Sequence, residues 1–167
     1  MSEEIHNDMD PFRYMVRRFI AIDSPNLIRN SSPAHAQILL EEMFAQMQKT
    51  AYVYCGRISN EVWGSARLAE AIQQAFERPG TEIRFLVQHP DKIPEGSLVA
   101  EILRQHGAIV TSPAFGEINS HFAVFDSKMY RFEKDDGDKT ARACVNDPSM
   151  AGALAGLAQL MIHSAAA

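Results

Sequence analysis

The segment NSHFAVFD, residues 119–126, places Asn119, His121 and Asp126 around a short apolar run. Its period-two alternation predicts a strand with Asn119 and His121 on one face and Asp126 on the other. A neutral imidazole is a nucleophile and can transfer protons near neutral pH, whereas the amide of Asn119 can do neither. Asn119, His121 and Asp126 are therefore candidate site residues. A half-buried, hydrogen-bonded histidine explains His121 equally well, and for Asp126 an architectural role, hydrogen bonding to backbone at the strand end, is favoured.

Four further candidates follow the ends of two predicted strands. Asn60, Glu61 and Trp63 come shortly after the run AYVYC, and His89 follows EIRFLV. Ligands of α/β proteins bind outside the carboxyl ends of the strands, so these residues are candidate binding groups. A solvated His89, and a Trp63 that covers the core or a subunit interface, are the alternatives. No metal-ligand spacing appears among the other histidines, so we expect neither a metal nor another cofactor; these are His6, His35, His106 and His163.

Helices and strands alternate in the first two thirds of the chain. Ser32-Pro33 supplies a cap and a first-turn proline for a helix whose apolar positions extend to Met47. Strands at 51–55, 82–87 and AIVT are separated by helices at 65–78 and from Ser97 onward. This order predicts an α/β fold, a mixed and mostly parallel sheet with helices on both faces. Before this alternating region, RRFIAI and DSPNLIRNSSP predict an extended segment that leads into the fold.

The last third changes to strands without intervening helices. SHFAVFD, KMYRFE and TARACV predict an antiparallel portion, with a hairpin turn at Asp136-Gly137. Asp147-Pro148 then starts a closing helix. Its predicted inward residues are Met150, Leu154, Leu157 and Met161.

Composition narrows the class of protein. With 167 residues, 46% of them hydrophobic, the chain is expected to form a single domain over residues 11–167 behind a flexible tail, residues 1–10. The acidic tail resembles no secretion signal, and the Ala- and Gly-rich segment 148–167 is too weakly apolar for a membrane span, so a cytoplasmic location is expected.

Cys55 and Cys144 lie in apolar runs, as buried reduced thiols do. The net charge of −5 disfavours binding along nucleic acid but allows a local basic pocket.

The order of these segments resembles the phospholipase D superfamily, and especially its short bacterial members with one catalytic motif per chain. The matching strings are CGRISNEVW, RFLVQHP, NSHFAVFDSK and NDPSMAGALAGLAQLM. The resemblance covers residues from about Arg18 to the C-terminus. It implies a three-layer α-β-α sandwich equivalent to one half of a phospholipase D-like enzyme.

The motif of that family is His-x-Lys-x(4)-Asp followed by Gly-Ser, and this chain departs from it. Aligned on the apolar strand, Asp126 matches the motif Asp, while His121 stands at the Lys position and Asn119 at the His position. Glu133-Lys134 falls where Gly-Ser belongs. A shift that makes His121 the motif His places Ala123 and Lys128 at the other two positions, and so loses more than it gains.

These changes affect the reaction that the resemblance implies. The motif His attacks phosphorus, and the Lys provides fixed charge that His121 provides only when it is protonated. Each loss costs orders of magnitude in rate. We therefore expect a catalytically degenerate protein that acts by binding, as a homodimer and as an accessory or regulatory component of a larger complex with a protein partner. An active phosphodiesterase using His121 in an altered site, or a nucleic-acid-binding protein, is the alternative.

Overall fold

The computed structural model describes residues 10–30, 32–117, 120–134 and 141–166. Within these ranges seven strands form one sheet, flanked by six helices. In chain order the elements are α1 (Pro11–Ala21), β1 (Ile28–Asn30), α2 (Pro33–Gln46), β2 (Thr50–Cys55), α3 (Asn60–Trp63), α4 (Ala66–Glu77), β3 (Glu82–Val87), α5 (Leu98–Gln105), β4 (Ile109–Thr111), β5 (Ser120–Phe125), β6 (Met129–Lys134), β7 (Ala141–Cys144) and α6 (Pro148–Ala166).

Short polar side chains begin most of the long helices. Ser32, Ser65 and Ser97 each accept a hydrogen bond from the backbone N–H three residues later, at the starts of α2, α4 and α5. Asp10 does the same for α1, and Asp147 for α6. These bonds satisfy donors that a helix end otherwise leaves unpaired. The caps expected at Ser32 and Asp147 are confirmed.

The sheet has the strand order β1-β7-β6-β5-β2-β3-β4. β2 pairs in parallel with β3, and β3 with β4, whereas the other four pairings are antiparallel. The α/β class and the mixed sheet are confirmed, although only two of the six pairings are parallel. Five strands do run in one direction, but β5 and β7 run the other way and separate β6 and β1 from their parallel neighbours.

Helices cover both faces of the sheet, as a three-layer sandwich requires, but they do so unequally. One core contains apolar side chains from α1, α2, α4 and α5, represented by Val16, Leu39, Leu68 and Val99. The other core has α6 as its long helix, packed over β2, β5 and β6. No helix in the described part of the chain combines the length and the apolar character needed to cross a bilayer.

Three local expectations differ from the structure. Residues 11–21 form a helix that includes most of RRFIAI, residues 17–22, which was expected to be extended. The helix forms because Asp10-Pro11 starts a turn and Val16 lies in the core. Asp10, assigned to the tail, is the cap of this helix. Leu157, expected inward, is 40% exposed because its side of α6 faces away from the sheet. The turn predicted at residues 136–137 lies outside the described residues.

A buried ion-pair cluster attaches α1 to α2. Arg13 is fully buried, and its Nη2 donates to both carboxylate oxygens of Glu41, at 3.1 and 3.4 Å. Its Nη1 lies 3.8 Å from Glu42, which also pairs with the half-exposed Arg17. Burial raises the pKa of Glu41, and Arg13 opposes that rise. The charge of Arg13 therefore keeps two buried carboxylates compatible with the folded state.

We predict that Arg13→Met lowers the free energy of unfolding by about 3–5 kcal/mol at pH 7, because it leaves buried carboxylates without their partner. Without Arg13 the pKa of Glu41 rises further, so the carboxyl takes up a proton as the pH falls and the folded variant regains stability. The deficit relative to wild type, measured by urea denaturation, should be smaller at pH 5 than at pH 7. Arg17→Met is the control and should cost less than about 1 kcal/mol. Equal deficits at both pH values would contradict this account.

Candidate functional site

The candidate site is a cleft at the edge of the sheet where β2 and β3 end and β5 begins. Because β5 runs antiparallel to β2, and β6 antiparallel to β5, the end of β6 reaches the same edge. The cleft has a volume of about 450 Å³. Its polar and ionisable lining residues include Arg57, Ser59, Glu61, Gln88, His89, Lys92, His121, Arg131 and Glu133.

A hydrogen-bond network fixes the position of His121 in the cleft. The side-chain Nε2 of Gln88 donates to the hydroxyl of Tyr54 at 2.7 Å and to the carbonyl of Phe115 at 3.1 Å. The Tyr54 hydroxyl in turn donates to the same carbonyl. Burial raises the pKa of Tyr54, which keeps this hydroxyl protonated. The backbone N–H of Gln88 continues the β2–β3 ladder by donating to the carbonyl of Cys55 at 3.0 Å.

The same network assigns the proton on His121. With the Gln88 amide nitrogen used in two donations, its Oε1 faces His121 Nε2 at 3.3 Å. An amide oxygen only accepts, so Nε2 of His121 carries a hydrogen in both the neutral and the cationic form. The lone pair of this nitrogen is therefore not available for attack on a substrate.

Arg131 and Glu133 bring opposite charges to the face of the sheet that carries His121. Glu133 is the cross-strand partner of His121, and Arg131 is the partner of Ala123. The Nη1 of Arg131 lies 3.6 Å from Oε2 of Glu133. Burial lowers the pKa of Arg131 and the carboxylate of Glu133 opposes that shift, so the guanidinium remains charged near neutral pH.

The cleft is more cationic than the protein as a whole. Three of its described lining residues are permanent cations, Arg57, Lys92 and Arg131, against two carboxylates, Glu61 and Glu133. His89 and His121 add positive charge when they are protonated. The chain as a whole carries −5. A local positive potential in an acidic protein favours a small anionic group in this cleft over a long polyanion along the surface.

The turn between β2 and α3 forms another wall of the cleft. Ile58 has a φ of +57°, a left-handed conformation that costs energy for a β-branched residue. Its side chain is buried, which anchors the turn between Arg57 and Ser59. Beside it, burial raises the pKa of the Cys55 thiol to about 12, so this cysteine is protonated and unreactive at neutral pH.

The structure brings together four of the residues that the sequence nominated. His121, His89, Glu61 and Trp63 all line the cleft. Asn60 begins α3 next to them and is exposed, but it does not line the cleft. Asn119 lies outside the described residues. Within the described part of the chain, no group of three or more His, Cys, Asp or Glu side chains is placed to hold a metal.

Asp126 lies at the opposite end of β5, away from the cleft. Its carboxylate accepts hydrogen bonds from the backbone N–H groups of Gln48, Lys49 and Thr50, at 2.8, 2.7 and 3.0 Å. Its own N–H donates to the carbonyl of Thr50. The architectural interpretation of Asp126, hydrogen bonding to backbone at the strand end, is confirmed.

Sequence reasoning missed Gln88, Arg57, Lys92 and Arg131 as parts of the site. Gln88 is adjacent to His89 and follows the same strand, so the rule that nominated His89 applies to it as well. Arg131 carried a different signal, a cation inside the apolar run KMYRFE. The side of the sheet on which Arg131 lies follows only from the β5–β6 register, which a single sequence does not supply.

Comparisons with known proteins identify the architecture. No protein-family model and no curated protein sequence matches this chain. Solved structures do match. A phospholipase D family member, Nuc from Salmonella typhimurium, superimposes with a TM-score of 0.60 at 13% identity, over 81% of this chain and 93% of Nuc. NucT from Helicobacter pylori gives 0.57 at 9% identity, over 83% of this chain and 98% of NucT.

A third solved structure that matches is described as a chromatin protein. TrmBL2, described as an archaeal chromatin protein with a novel mode of DNA binding, gives a TM-score of 0.60 at 10% identity, over 98% of this chain and 64% of TrmBL2. The chain therefore has a phospholipase D-like fold. At these identities the likeness establishes the fold alone.

We predict that Asp126→Ala lowers the free energy of unfolding by about 2–4 kcal/mol, because three backbone donors lose a charged acceptor. Asp126 also has a φ of +56°, which Asn tolerates better than Ala does. Asp126→Asn is therefore the matched control and should cost less. Denaturant titration followed by circular dichroism measures both variants, and an Ala variant as stable as wild type would contradict the role assigned to this carboxylate.

Proposed function

We propose that this chain is a catalytically degenerate phospholipase D-like protein that binds a phosphate-type oxyanion in the cleft at His121. In this proposal it acts as a homodimer and as an accessory or regulatory component of a larger complex. Residues 11–167 act as one domain in the cytoplasm, where the two buried free thiols, Cys55 and Cys144, stay reduced.

The observation that carries the proposal is the cationic character of the cleft, together with the loss of the motif histidine from the sequence. Arg57, Lys92 and Arg131 provide permanent positive charge there. At the motif position of the attacking histidine the sequence has Asn119, and an amide cannot form the phosphohistidine intermediate. His121 stands nearby, but its Nε2 already carries the hydrogen that faces Gln88. These features support binding over turnover.

An active phosphodiesterase that uses His121 is the rival. The phospholipase D-like fold supports it, and the amide at residue 119 argues against it. A nucleic-acid-binding function is a further candidate, because TrmBL2 shares the fold and is described as binding DNA. The net charge of −5 disfavours it. A salt-dependent mobility shift with single- or double-stranded oligonucleotides distinguishes this function from capture of a small anion.

We predict that inorganic phosphate binds and changes the fluorescence of Trp63, which is the single tryptophan and lines the cleft. Lys92→Gln should weaken this binding about two- to fivefold, because it removes one exposed cation from the cleft. Lys49→Gln is the matched control. Lys49 is also an exposed lysine but lies beside Asp126 at the opposite edge of the sheet, so its loss should leave the affinity unchanged.

Hydrolysis of a phosphodiester by the purified protein would contradict the proposed binding function. Wild-type protein should not hydrolyse bis(p-nitrophenyl) phosphate above the rate of buffer alone. Turnover that disappears in His121→Ala would establish the phosphodiesterase instead. Absence of any fluorescence change with phosphate, with no turnover, would remove the cleft as the binding site.

The homodimer is proposed from the single-motif members that the chain resembles, which pair two motifs across a two-fold axis. In this chain the exposed apolar surface that supports a two-fold contact is the outward face of α6, none of whose described residues lines the cleft. This helix has no Asp, Glu, Lys or Arg along its 19 residues, and Leu157 and Leu160 on it are 40% and 71% exposed. A second copy of the same uncharged face can cover these leucines without burying an unpaired charge.

We predict that light scattering gives twice the chain mass of 18.6 kDa for wild-type protein, and the mass of one chain for Leu160→Glu. A carboxylate at the centre of an apolar contact has no partner there, which disfavours association. Leu98→Glu makes the same change at a 52% exposed leucine on α5, across the sheet, and should remain dimeric. A monomeric wild type would contradict the dimer, and a dimeric Leu160→Glu would contradict this interface.

A further inference from the structure

A carboxylate stands among the cationic groups of the cleft. Glu133 is the cross-strand partner of His121, so their side chains leave the same face of neighbouring strands, with Cβ atoms about 5 Å apart. Glu133 is half-buried and 3.6 Å from Arg131 Nη1. A general anion site gains nothing from a negative charge at this position, because that charge repels the ligand.

Arg131 offers a donor that the protein leaves unused. Arg131 is only 9% exposed, and its Nε has no hydrogen-bond partner among the described residues. A buried donor without an acceptor is destabilising, and a ligand oxygen that accepts from it removes that cost. Arg131 and Glu133 both line the cleft. The site therefore presents an unpaired donor and an ionised acceptor side by side.

We infer that the cleft selects an oxyanion that carries a proton, such as inorganic phosphate or a phosphate monoester, over oxyanions without one, such as sulfate or a phosphodiester. The inference rests on the proposed oxyanion-binding function and names the ligand class of that site. One ligand oxygen accepts from Arg131, and a ligand O–H donates to Glu133.

The chemistry behind this selection is the number of protons on each anion. An ionised carboxylate only accepts hydrogen bonds. Sulfate and a phosphodiester have no proton near neutral pH, so each presents lone pairs to Glu133 and is repelled. Inorganic phosphate keeps at least one proton, and a phosphate monoester keeps its second proton below a pKa of about 6. Glu133 thus disfavours the phosphodiester class, which has no proton to donate, while inorganic phosphate gains a hydrogen bond at neutral pH and a phosphate monoester gains it below that pKa.

Other titrating groups affect all these anions alike. The charged and titratable groups that line the cleft are Arg57, Glu61, His89, Lys92, His121, Arg131 and Glu133. Protonation of either histidine strengthens the binding of phosphate and of sulfate. The ratio of the two affinities therefore isolates the contribution of a proton on the ligand.

The test is a fluorescence titration of Trp63 in the full-length protein with inorganic phosphate and with sulfate, at pH 7 and constant ionic strength. We expect phosphate to bind at least about tenfold more tightly, the effect of one hydrogen bond to a charged group. Methyl phosphate should bind more tightly at pH 5.5 than at pH 8 relative to sulfate, and dimethyl phosphate should bind as weakly as sulfate. Equal affinities for phosphate and sulfate would overturn the inference while leaving oxyanion binding intact.

Two isosteric variants test whether Glu133 is the carboxylate that selects between the anions. Glu133→Gln should improve sulfate binding and bring the phosphate-to-sulfate ratio to about one, since an amide both donates and accepts. Glu61→Gln removes the same charge from the α3 side of the cleft. It should strengthen both anions equally and preserve the ratio. A ratio that survives in Glu133→Gln would overturn the inference, and failure of both anions to bind wild-type protein would overturn the proposed function together with it.

Discussion

The attachment of Asp126 to the start of β2 is the constraint on which the site depends. Its carboxylate takes three backbone N–H groups at residues 48–50, and its N–H returns a bond to Thr50. These bonds set the register in which Ala51 faces Phe125 and Tyr54 faces Phe122. His121 is then held beside the carboxyl end of β2. A slip of one residue would turn every side chain of β5 to the other face and remove His121 from the cleft.

That register also determines what surrounds His121. β5 lies between β2 and β6, so the imidazole has the Gln88–Tyr54 network on one side and the β6 pair of Arg131 and Glu133 on the other. The network fixes the ring and its Nε2 hydrogen, while the β6 pair supplies charge. The position of His121 and the permanent charge beside it thus come from different strands. Both depend on β5, which lies between β2 and β6 and runs antiparallel to each of them.

Local rules predicted much of this structure. Serine caps and period-two strands predicted the order of the strands and long helices from α2 onward, but not the short helix α3. The residues nominated from the sequence at His121, His89, Glu61 and Trp63 lie in one cleft. The helix α1 was predictable too, because Asp10-Pro11 is the same kind of start as Ser32-Pro33. What one sequence could not provide was long-range pairing. The faces of Arg131 and Glu133, and the partners of Arg13, depend on contacts between residues far apart in the chain.

The positive charge beside the cleft comes from two neighbouring strands and differs between them in its dependence on pH. On β5, the alignment proposed from the sequence places His121 at the lysine position of the phospholipase D motif, and the charge of an imidazole depends on pH. On β6, Arg131 lies across from Ala123, the next residue after His121 on the same face, and keeps its charge at all physiological pH values. Permanent charge is thus present one strand away, next to a carboxylate that partly neutralises it. In the function that we propose, a cation so placed holds an anion at the end of the sheet, while the amide at residue 119 cannot form the bond to phosphorus.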